Sequence, residues 1–299
     1  MNHFELGRTK LRKIYLSTLW LFLLVILMDY YQAIFIGIFQ GITEWLPISS
    51  SGQVMLLFIN FLKITPEEAY SYSLLLHLGT LMALFFKFRY ELGKILFKFI
   101  LFRWEEKEKF LFYSTLFTAL IGFPLYKAFK MLASSFNAEA INGIIGVALI
   151  LTGIILKKTR ETPLERLEKG LKKEKDEVTI FDAIVAGIAQ GISVVPGISR
   201  SGMTIGSLLL LGVKQEKAVE FSFLMAVPAI LGALFLEFPE VSRSSEDISL
   251  PLISIFSAFI ASLLMIDVML KIAKRLNFSK FCIFFGFIAL IASILGVLM

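Results

Sequence analysis

The sequence predicts an all-α, polytopic membrane protein built from inverted-topology repeats, with two re-entrant helix hairpins. The first observation is the length and number of its apolar runs, several of which pass the about 18–20 residues that span a bilayer. The second is a polar segment that occurs twice. The third is a pattern of loop charges that orients the two copies oppositely.

Composition supports a membrane protein and excludes several other classes. Of the 299 residues, 57% are hydrophobic and 18% are charged, whereas soluble domains have roughly half apolar and about a quarter charged residues. The net charge of +6 is typical of a membrane protein with basic cytoplasmic loops, so we expect no nucleic-acid binding. Two histidines exclude a multi-histidine metal site, and one cysteine, Cys282, excludes an internal disulfide.

The N-terminal residues 1–29 are expected to form an anchor helix. Lys10, Arg12 and Lys13 precede the apolar run Ile14–Met28, and no small-residue cleavage site follows that run. An alternative is that the natural start is Met28 and that the preceding residues are dispensable.

The remaining apolar segments divide the chain into two halves, 30–156 and 178–299, joined by a charged cytoplasmic loop at 157–177. A second basic loop is expected from Lys87 to Lys109. The apolar segments cover 31–62, 71–88, 110–132, 140–156, 179–213, 218–237, 250–270 and 281–299.

Loop charges favour one orientation, because Lys and Arg accumulate in loops on the inner side. The basic N-terminus and both charged loops then lie inside. It follows that the region 31–62 starts and ends outside, whereas the region 179–213 starts and ends inside.

Residues 33–52 and 183–202 form the repeat, at an offset of 150 positions. The first copy reads AIFIGIFQGITEWLPISSSG and the second AIVAGIAQGISVVPGISRSG, with eleven identical positions. The shared residues include Gln, Gly and Ser, which apolar segments seldom share by chance. An internal duplication is therefore indicated, and the opposite orientations make the repeats inverted.

Each copy carries helix breakers within its apolar stretch, namely Pro47 and Gly52 in the first and Pro196, Gly197 and Gly202 in the second. Such breaks free backbone N–H and C=O groups, which are costly in lipid unless protein or water satisfies them. We therefore expect two re-entrant hairpins whose tips meet in one polar cavity near the membrane midplane.

The chemistry of this cavity is predicted to suit an anion. Glu44 and Arg200 are charges in apolar sequence, where each costs about 3 kcal/mol on insertion scales, so a function is expected; a buried pair that only fixes helix packing is the alternative. The Arg200 fork matches phosphate bidentately, and hydroxyls with helix-start N–H groups add donors. The other polar candidates are Gln40, Ser49, Ser50, Ser51, Gln53, Gln190, Ser193, Ser199, Ser201 and Thr204.

Two motifs carry a specific resemblance. Gln-Gly-Ile-Thr-Glu-Trp-Leu-Pro-Ile-Ser-Ser-Ser-Gly at 40–52 and Pro-Gly-Ile-Ser-Arg-Ser-Gly-Met-Thr at 196–204 resemble the signature regions of the undecaprenyl-diphosphate phosphatase (bacitracin-resistance) family. His77-Leu78-Gly79-Thr80 is also similar to that family, and the resemblance covers residue 28 to the end. It implies an enzyme that removes the terminal phosphate of a polyprenyl diphosphate and so recycles the lipid carrier for cell-wall glycan synthesis.

The resemblance also implies a location, a cofactor and residue roles. The enzyme would lie in the plasma membrane as a multi-pass protein, with a site that opens to the outer face and uses Mg²⁺ or Ca²⁺. Glu44, Ser50 and Arg200 would be catalytic, with Glu44 also the tentative metal ligand, and Gln40 and Gln190 would support them. Phosphate contacts are implied for Ser49, Ser51, Gly52, Gln53, Ser199, Ser201 and Thr204.

One position departs from the family pattern. The family usually has histidine directly after the first Ser-Gly, where this chain has Gln53. Glutamine can donate a hydrogen bond but cannot shuttle a proton at neutral pH. His77 is the remaining candidate for a histidine role, and we expect it to pack or to cap a helix.

Hydrolysis of a polyprenyl diphosphate is the leading hypothesis for the function. A polyprenyl-phosphate lipid carrier with weak or no hydrolysis is the alternative, and Gln53 is the residue that would favour it. A structural membrane subunit is a third possibility. The sequence leaves open whether the protein forms a homodimer.

Overall fold

The computed structural model describes residues 29–158, 175–244, 249–272 and 278–298. Helices make up nearly all of this part of the chain, which has no β-strand beyond an isolated parallel bridge between Lys175 and Val213. The helices are α1 (29–43), α2 (Ser50–Phe61), α3 (Pro66–Leu75), α4 (His77–Ile100), α5 (Glu106–Ser135), α6 (Ala138–Lys158), α7 (Ile180–Ile192), α8 (Arg200–Leu210), α9 (Gln215–Ser244), α10 (Ser249–Ile272) and α11 (Phe278–Leu298).

Five helical stretches among the described residues are long and apolar enough to cross a membrane. They are Pro66–Ile100, Glu106–Ser135, Ala138–Lys157, Gln215–Glu237 and Ser249–Val268. α2, α7 and the apolar part of α11 are shorter. The prediction of an all-α, polytopic membrane protein is confirmed.

Local sequence explains where several helices begin. The Thr65 side chain accepts a hydrogen bond from the Glu68 backbone N–H, and Pro66 occupies the first helical position of α3. Thr179 and Asp182 form the same reciprocal box at the start of α7. These caps satisfy N–H groups that would otherwise lack partners at a helix start.

Both copies of the repeat fold as a helix, a break and a second helix. α1 ends at 43 and α2 begins at Ser50, whereas α7 ends at Ile192 and α8 begins at Arg200. Each break contains the proline that the sequence places there, since proline cannot donate a helical hydrogen bond. The inverted orientation and the re-entrant path through the membrane stay predictions.

The predicted loop from Lys87 to Lys109 is wrong in its extent. α4 continues to Ile100 and α5 begins at Glu106, so only 101–105 connect the two helices. Lysine and arginine are good helix formers, and their long side chains can carry the charge from a helix end to a polar surface. The anchor segment 1–29, except Asp29, and the loop 157–177, except its ends, lie outside the described residues.

Buried apolar clusters hold both breaks in place. Val54 and Met55 of α2 belong to one cluster and Leu208 of α8 to a second. Trp45, inside the first break, belongs to a third, where its ring meets Phe223 edge-on with 5.1 Å between ring centroids. The polar residues of the breaks are therefore fixed by helices from both halves of the chain.

Candidate active site

The first break presents Ser49 in an unusual backbone conformation. Ser49 precedes α2 with a φ of 60°, in the left-handed region that non-glycine residues rarely adopt. Its hydroxyl accepts a hydrogen bond from the Gly197 backbone N–H at 3.0 Å. The chain therefore joins its two breaks directly.

The second break makes the complementary contacts. Gly197 has a φ of +97°, and a side-chain carbon there would lie 2.6 Å from the Ala148 Cβ, so only glycine fits. The Ser199 hydroxyl caps α8 by accepting from the Gly202 N–H at 3.1 Å. Arg200, the first residue of α8, is thereby aimed at the first break.

Glu44 is the centre of the site, with its side chain only 3% exposed. Its Oε1 accepts a hydrogen bond from Arg200 Nη2 at 2.7 Å. Its Oε2 accepts from Ser50 Oγ at 2.5 Å and from Gln40 Nε2 at 3.1 Å. The carboxylate therefore contacts the predicted nucleophile with one oxygen and the predicted phosphate clamp with the other.

His77 is a further partner of the same carboxylate. Its Nε2 lies 3.0 Å from Glu44 Oε2, and its Nδ1 lies 2.7 Å from the carbonyl oxygen of Ser73. A carbonyl only accepts, so Nδ1 must be a donor, and Nε2 must carry a proton to face a carboxylate. This geometry indicates an imidazolium, which together with Arg200 leaves the site with a net positive charge that suits a phosphate.

Arg200 retains donors for a ligand. Nη1 donates to the Ser222 carbonyl oxygen at 3.3 Å, and Nη2 donates to Glu44. The guanidinium group has five N–H donors in all, so several stay available. The Thr204 hydroxyl donates to the Arg200 carbonyl oxygen at 2.9 Å, which stabilises the first turn of α8 without contacting the guanidinium.

A cavity of about 400 Å³ opens beside these groups. Its polar wall includes Glu44, Ser50, His77 and Arg200, and its apolar wall is formed by α5 and α9. At one edge the Tyr126 hydroxyl donates to Glu237, a carboxylate that also pairs with Lys130 at 3.1 Å. The cavity thus combines a charged site with an apolar flank.

The comparisons identify the family. A family model described as bacitracin resistance protein BacA matches residues 33–291. The chain belongs to the BacA family.

Similar proteins from several organisms carry one name. A protein of Methanothrix thermoacetophila named undecaprenyl-diphosphatase is 39% identical to this BacA-family chain, covering 88% of this chain and 96% of that one. One of Methanopyrus kandleri with the same name is 38% identical, with coverages of 88% and 96%. One of Carboxydothermus hydrogenoformans, also so named, is 36% identical, with coverages of 83% and 90%.

Not every site residue predicted from the sequence reaches the cavity of this BacA-family chain. Those that line it are Glu44, Ser49, Ser50, Ser51, Gln190, Ser193, Ser199, Arg200 and Ser201. Gln40, Gly52, Gln53 and Thr204 are not among the described residues that line it. Gln40 instead holds Glu44, and Gly52 allows the two breaks to touch, since a side-chain carbon there would lie 2.6 Å from the Gly197 nitrogen.

Sequence reasoning missed the contact between His77 and Glu44. His77 is expected from the sequence only to pack or to cap a helix. Its Nδ1 does bond to a backbone carbonyl oxygen, that of Ser73, but its Nε2 contacts Glu44 in the site. The signal in the sequence is the motif His77-Leu78-Gly79-Thr80, which is similar to the family but does not by itself show what His77 contacts.

The residues of the cavity do not form a metal site by themselves. The described residues contain no group of three or more His, Cys, Asp and Glu that could hold a metal ion. Glu44 is the only carboxylate among the described residues that line the cavity, and both its oxygens already accept hydrogen bonds. Its two cationic neighbours also oppose a divalent cation, so the donor set does not fit a metal held by the protein alone.

Proposed function

We propose that this BacA-family chain is a membrane phosphatase that removes the terminal phosphate of undecaprenyl diphosphate or a related polyprenyl diphosphate. The observation that carries the proposal is the Glu44 carboxylate, which contacts Ser50 with one oxygen and Arg200 with the other inside one cavity. The relatives' shared name, undecaprenyl-diphosphatase, favours hydrolysis over the carrier alternative.

The reaction begins at the terminal phosphorus. Ser50 Oγ attacks it, Glu44 Oε2 takes the hydroxyl proton, and the bond from phosphorus to the bridging oxygen breaks, releasing the polyprenyl phosphate. Glu44 Oε2 gives that proton to the departing polyprenyl phosphate and so becomes a carboxylate again. A water then attacks the phosphoseryl group while Glu44 takes one of its protons; the bond to Ser50 Oγ breaks, Glu44 returns the proton to Ser50 Oγ, and inorganic phosphate leaves. An alternative mechanism has no phosphoseryl intermediate: Ser50 positions a water molecule, and that water attacks the terminal phosphorus directly.

Stabilisation of charge on the phosphoryl oxygens supplies most of the catalysis in such transfers. Three kinds of group in this chain can donate hydrogen bonds to those oxygens. They are the remaining N–H groups of Arg200, the hydroxyls of Ser51, Ser199 and Ser201, and the backbone N–H groups at the start of α8. These groups are fixed before the substrate binds, so little reorganisation is needed.

The apolar flank of the cavity suits the polyprenyl chain. Phe123 of α5 and Phe235 of α9 line it and are 43% and 81% exposed. Gly232 lies beside them, and a side-chain carbon there would meet no atom of the described residues within 4 Å. We place the first isoprene units here, between α5 and α9.

A divalent metal, Mg²⁺ or Ca²⁺, enters this proposal with the substrate. Mg²⁺ is often held by substrate phosphates and only one or two carboxylates, and the diphosphate would supply the oxygens that the cavity lacks. Calorimetry checks this: we expect Mg²⁺ to bind the protein only when inorganic pyrophosphate is present. Tight binding of Mg²⁺ without pyrophosphate would contradict it.

The cellular setting is inferred from the loop charges and the relatives' name. We place the protein in the plasma membrane with the cavity opening to the outer face, where it would recycle the lipid carrier of cell-wall synthesis. Cysteine labelling of a Ser51→Cys variant with a membrane-impermeant reagent tests the face: labelling in intact cells supports it, and labelling only after lysis contradicts it.

Phosphate release from a polyprenyl diphosphate by the purified chain tests the activity. We expect release that requires Glu44 and Arg200, measured with Mg²⁺ and with Ca²⁺ at several pH values. No release under any of these conditions would reject the enzyme, and flux of labelled polyprenyl phosphate in liposomes would then support the carrier.

A further inference from the structure

His77 stands in the site while Gln53 does not. Gln53 occupies the position at which the family usually has histidine. Its side chain is buried, it is absent from the described residues that line the cavity, and within this part of the chain its amide nitrogen has no hydrogen-bond partner. His77, on a different helix, lines the cavity and contacts Glu44.

The contact between Glu44 and Arg200 is monodentate. Only Nη2 reaches the carboxylate, at Oε1, while Nη1 bonds to the Ser222 carbonyl oxygen. Arginine and carboxylate groups commonly prefer the bidentate fork, in which two N–H groups meet two oxygens. A bidentate pair here would turn Oε2 away from Ser50 and occupy the donors that a phosphate needs.

His77 opposes that closure. Its Nε2 and Gln40 Nε2 both hold Oε2, at 3.0 and 3.1 Å, on the side that faces Ser50. Of these two partners, Gln40 lies only four residues before Glu44 in the same segment, whereas His77 holds Oε2 from α4, a separate helix. The bond from Nδ1 to the Ser73 carbonyl oxygen fixes the ring, so Nε2 points at Glu44 in one orientation.

We propose that His77 is the positioning residue of this site. It keeps the Glu44 carboxylate aimed at Ser50 and the Arg200 fork open for phosphate, and it supplies from α4 the histidine that α2 lacks at Gln53. This inference rests on the proposed function for its kinetic consequence, but its structural consequence, an open Arg200 fork, exists without turnover.

Two His77 variants test the proposal in the full-length protein in detergent. His77→Leu removes the donor, and His77→Gln keeps one neutral N–H donor without the charge. For His77→Leu we expect kcat to fall about 100-fold, the cost of misplacing a reacting group by roughly 1 Å. We also expect His77→Gln to keep at least tenfold more activity than His77→Leu, since one donor to Oε2 remains.

Binding of inorganic pyrophosphate gives a second readout that needs no catalysis. In His77→Leu the closed Glu44–Arg200 pair should weaken pyrophosphate binding about tenfold, the loss of one hydrogen bond to a charged group. If the wild type releases no phosphate, the proposed function fails, and this affinity still tests the inference. Unfolding midpoints show which variants are folded, and His77→Gln carries the test if His77→Leu is not.

The outcomes separate cleanly. Lower kcat and weaker pyrophosphate binding in folded His77 variants support the positioning role. A kcat of folded His77→Leu within threefold of the wild type, or pyrophosphate affinity unchanged in the folded His77 variants, overturns it. Gln53→His adds a further check: no activation is expected if His77 already fills the role, and a large activation would show that the site lacks a histidine.

Discussion

Glu44 and Arg200 lie 156 positions apart in the sequence and 2.7 Å apart at Oε1 and Nη2. Each comes from a different copy of the repeat and is supported by a residue of its own copy: Ser50 donates to Glu44, and Ser199 caps the helix that begins with Arg200. Neither copy alone contains both the carboxylate and the phosphate clamp. The site therefore exists only where the two breaks meet.

Removing the charge of Glu44 should stop catalysis. Glu44→Gln keeps the shape but cannot take the Ser50 proton, so we expect kcat to fall about 1,000-fold, within the range for loss of a general base. Its two partly buried partners, Arg200 and His77, also lose the carboxylate charge, which should lower the free energy of unfolding by about 3 kcal/mol.

A matched control separates these two effects. Asp182 is a buried carboxylate paired with Lys175 at 2.6 Å, and neither residue is among the described residues that line the cavity. Asp182→Asn should lower stability without lowering kcat of the folded fraction. An equal loss of kcat in both variants would show that the Glu44 effect is one of stability alone.

The Ser50 hydroxyl should be required, and its role can be read chemically. Ser50→Ala is expected to lower kcat about 1,000-fold. Ser114→Ala removes a buried hydroxyl that donates to the Leu111 carbonyl oxygen of its own helix and is not among the described residues that line the cavity, so it should change kcat little. Acid quench of wild-type turnover followed by mass spectrometry distinguishes the two versions of the chemistry. A phosphoserine at Ser50 indicates the nucleophile, and its absence with intact turnover indicates a positioned water.

At Ser49, loss of the hydroxyl should lower the stability of the protein, whereas relief of the backbone strain should raise it. Ser49→Ala leaves the buried Gly197 N–H without its acceptor, which should cost about 2 kcal/mol of stability. Ser49→Gly loses the same hydroxyl but relieves the strain of a φ of 60°, worth about 1 kcal/mol, so it should be the more stable of the two. Thermal unfolding in detergent checks the order; equal stabilities would argue against the left-handed conformation.

Gly232 should control how the lipid tail is accommodated. Gly232→Phe fills open space beside the cavity, so the fold should tolerate it while the KM for a long polyprenyl diphosphate rises about tenfold, as expected for roughly 1.4 kcal/mol of lost binding. The KM for a short prenyl diphosphate should change less. Gly93→Phe is the control, because Gly93 is equally open but lies outside the described lining of the cavity; equal KM changes in both would reject the tail path.

The sequence predicted the helices better than their ends. Apolar runs and the two breaks follow from composition and from proline and glycine positions, which act locally. The end of α4 at Ile100 could not be predicted, because the basic residues after Lys87 indicate a polar surface whether they lie at a helix end or in a loop. The pairing of Glu44 with Arg200 could be anticipated from the repeat, whereas the approach of His77 depends on how α4 packs across the first break.

Helix contacts also link the two halves of the chain. Gly37 and Gly41 of α1 lie against the backbone of α10, where a side-chain carbon at Gly41 would come within 2.5 Å of the Ala258 carbonyl oxygen. Gly187 and Gly191 of α7 lie against α5 in the same manner. Transporters with inverted repeats move substrate by rocking one half against the other, which gives alternating access. Here such rocking would have to disrupt these close glycine contacts, so they suit a protein that keeps one site still.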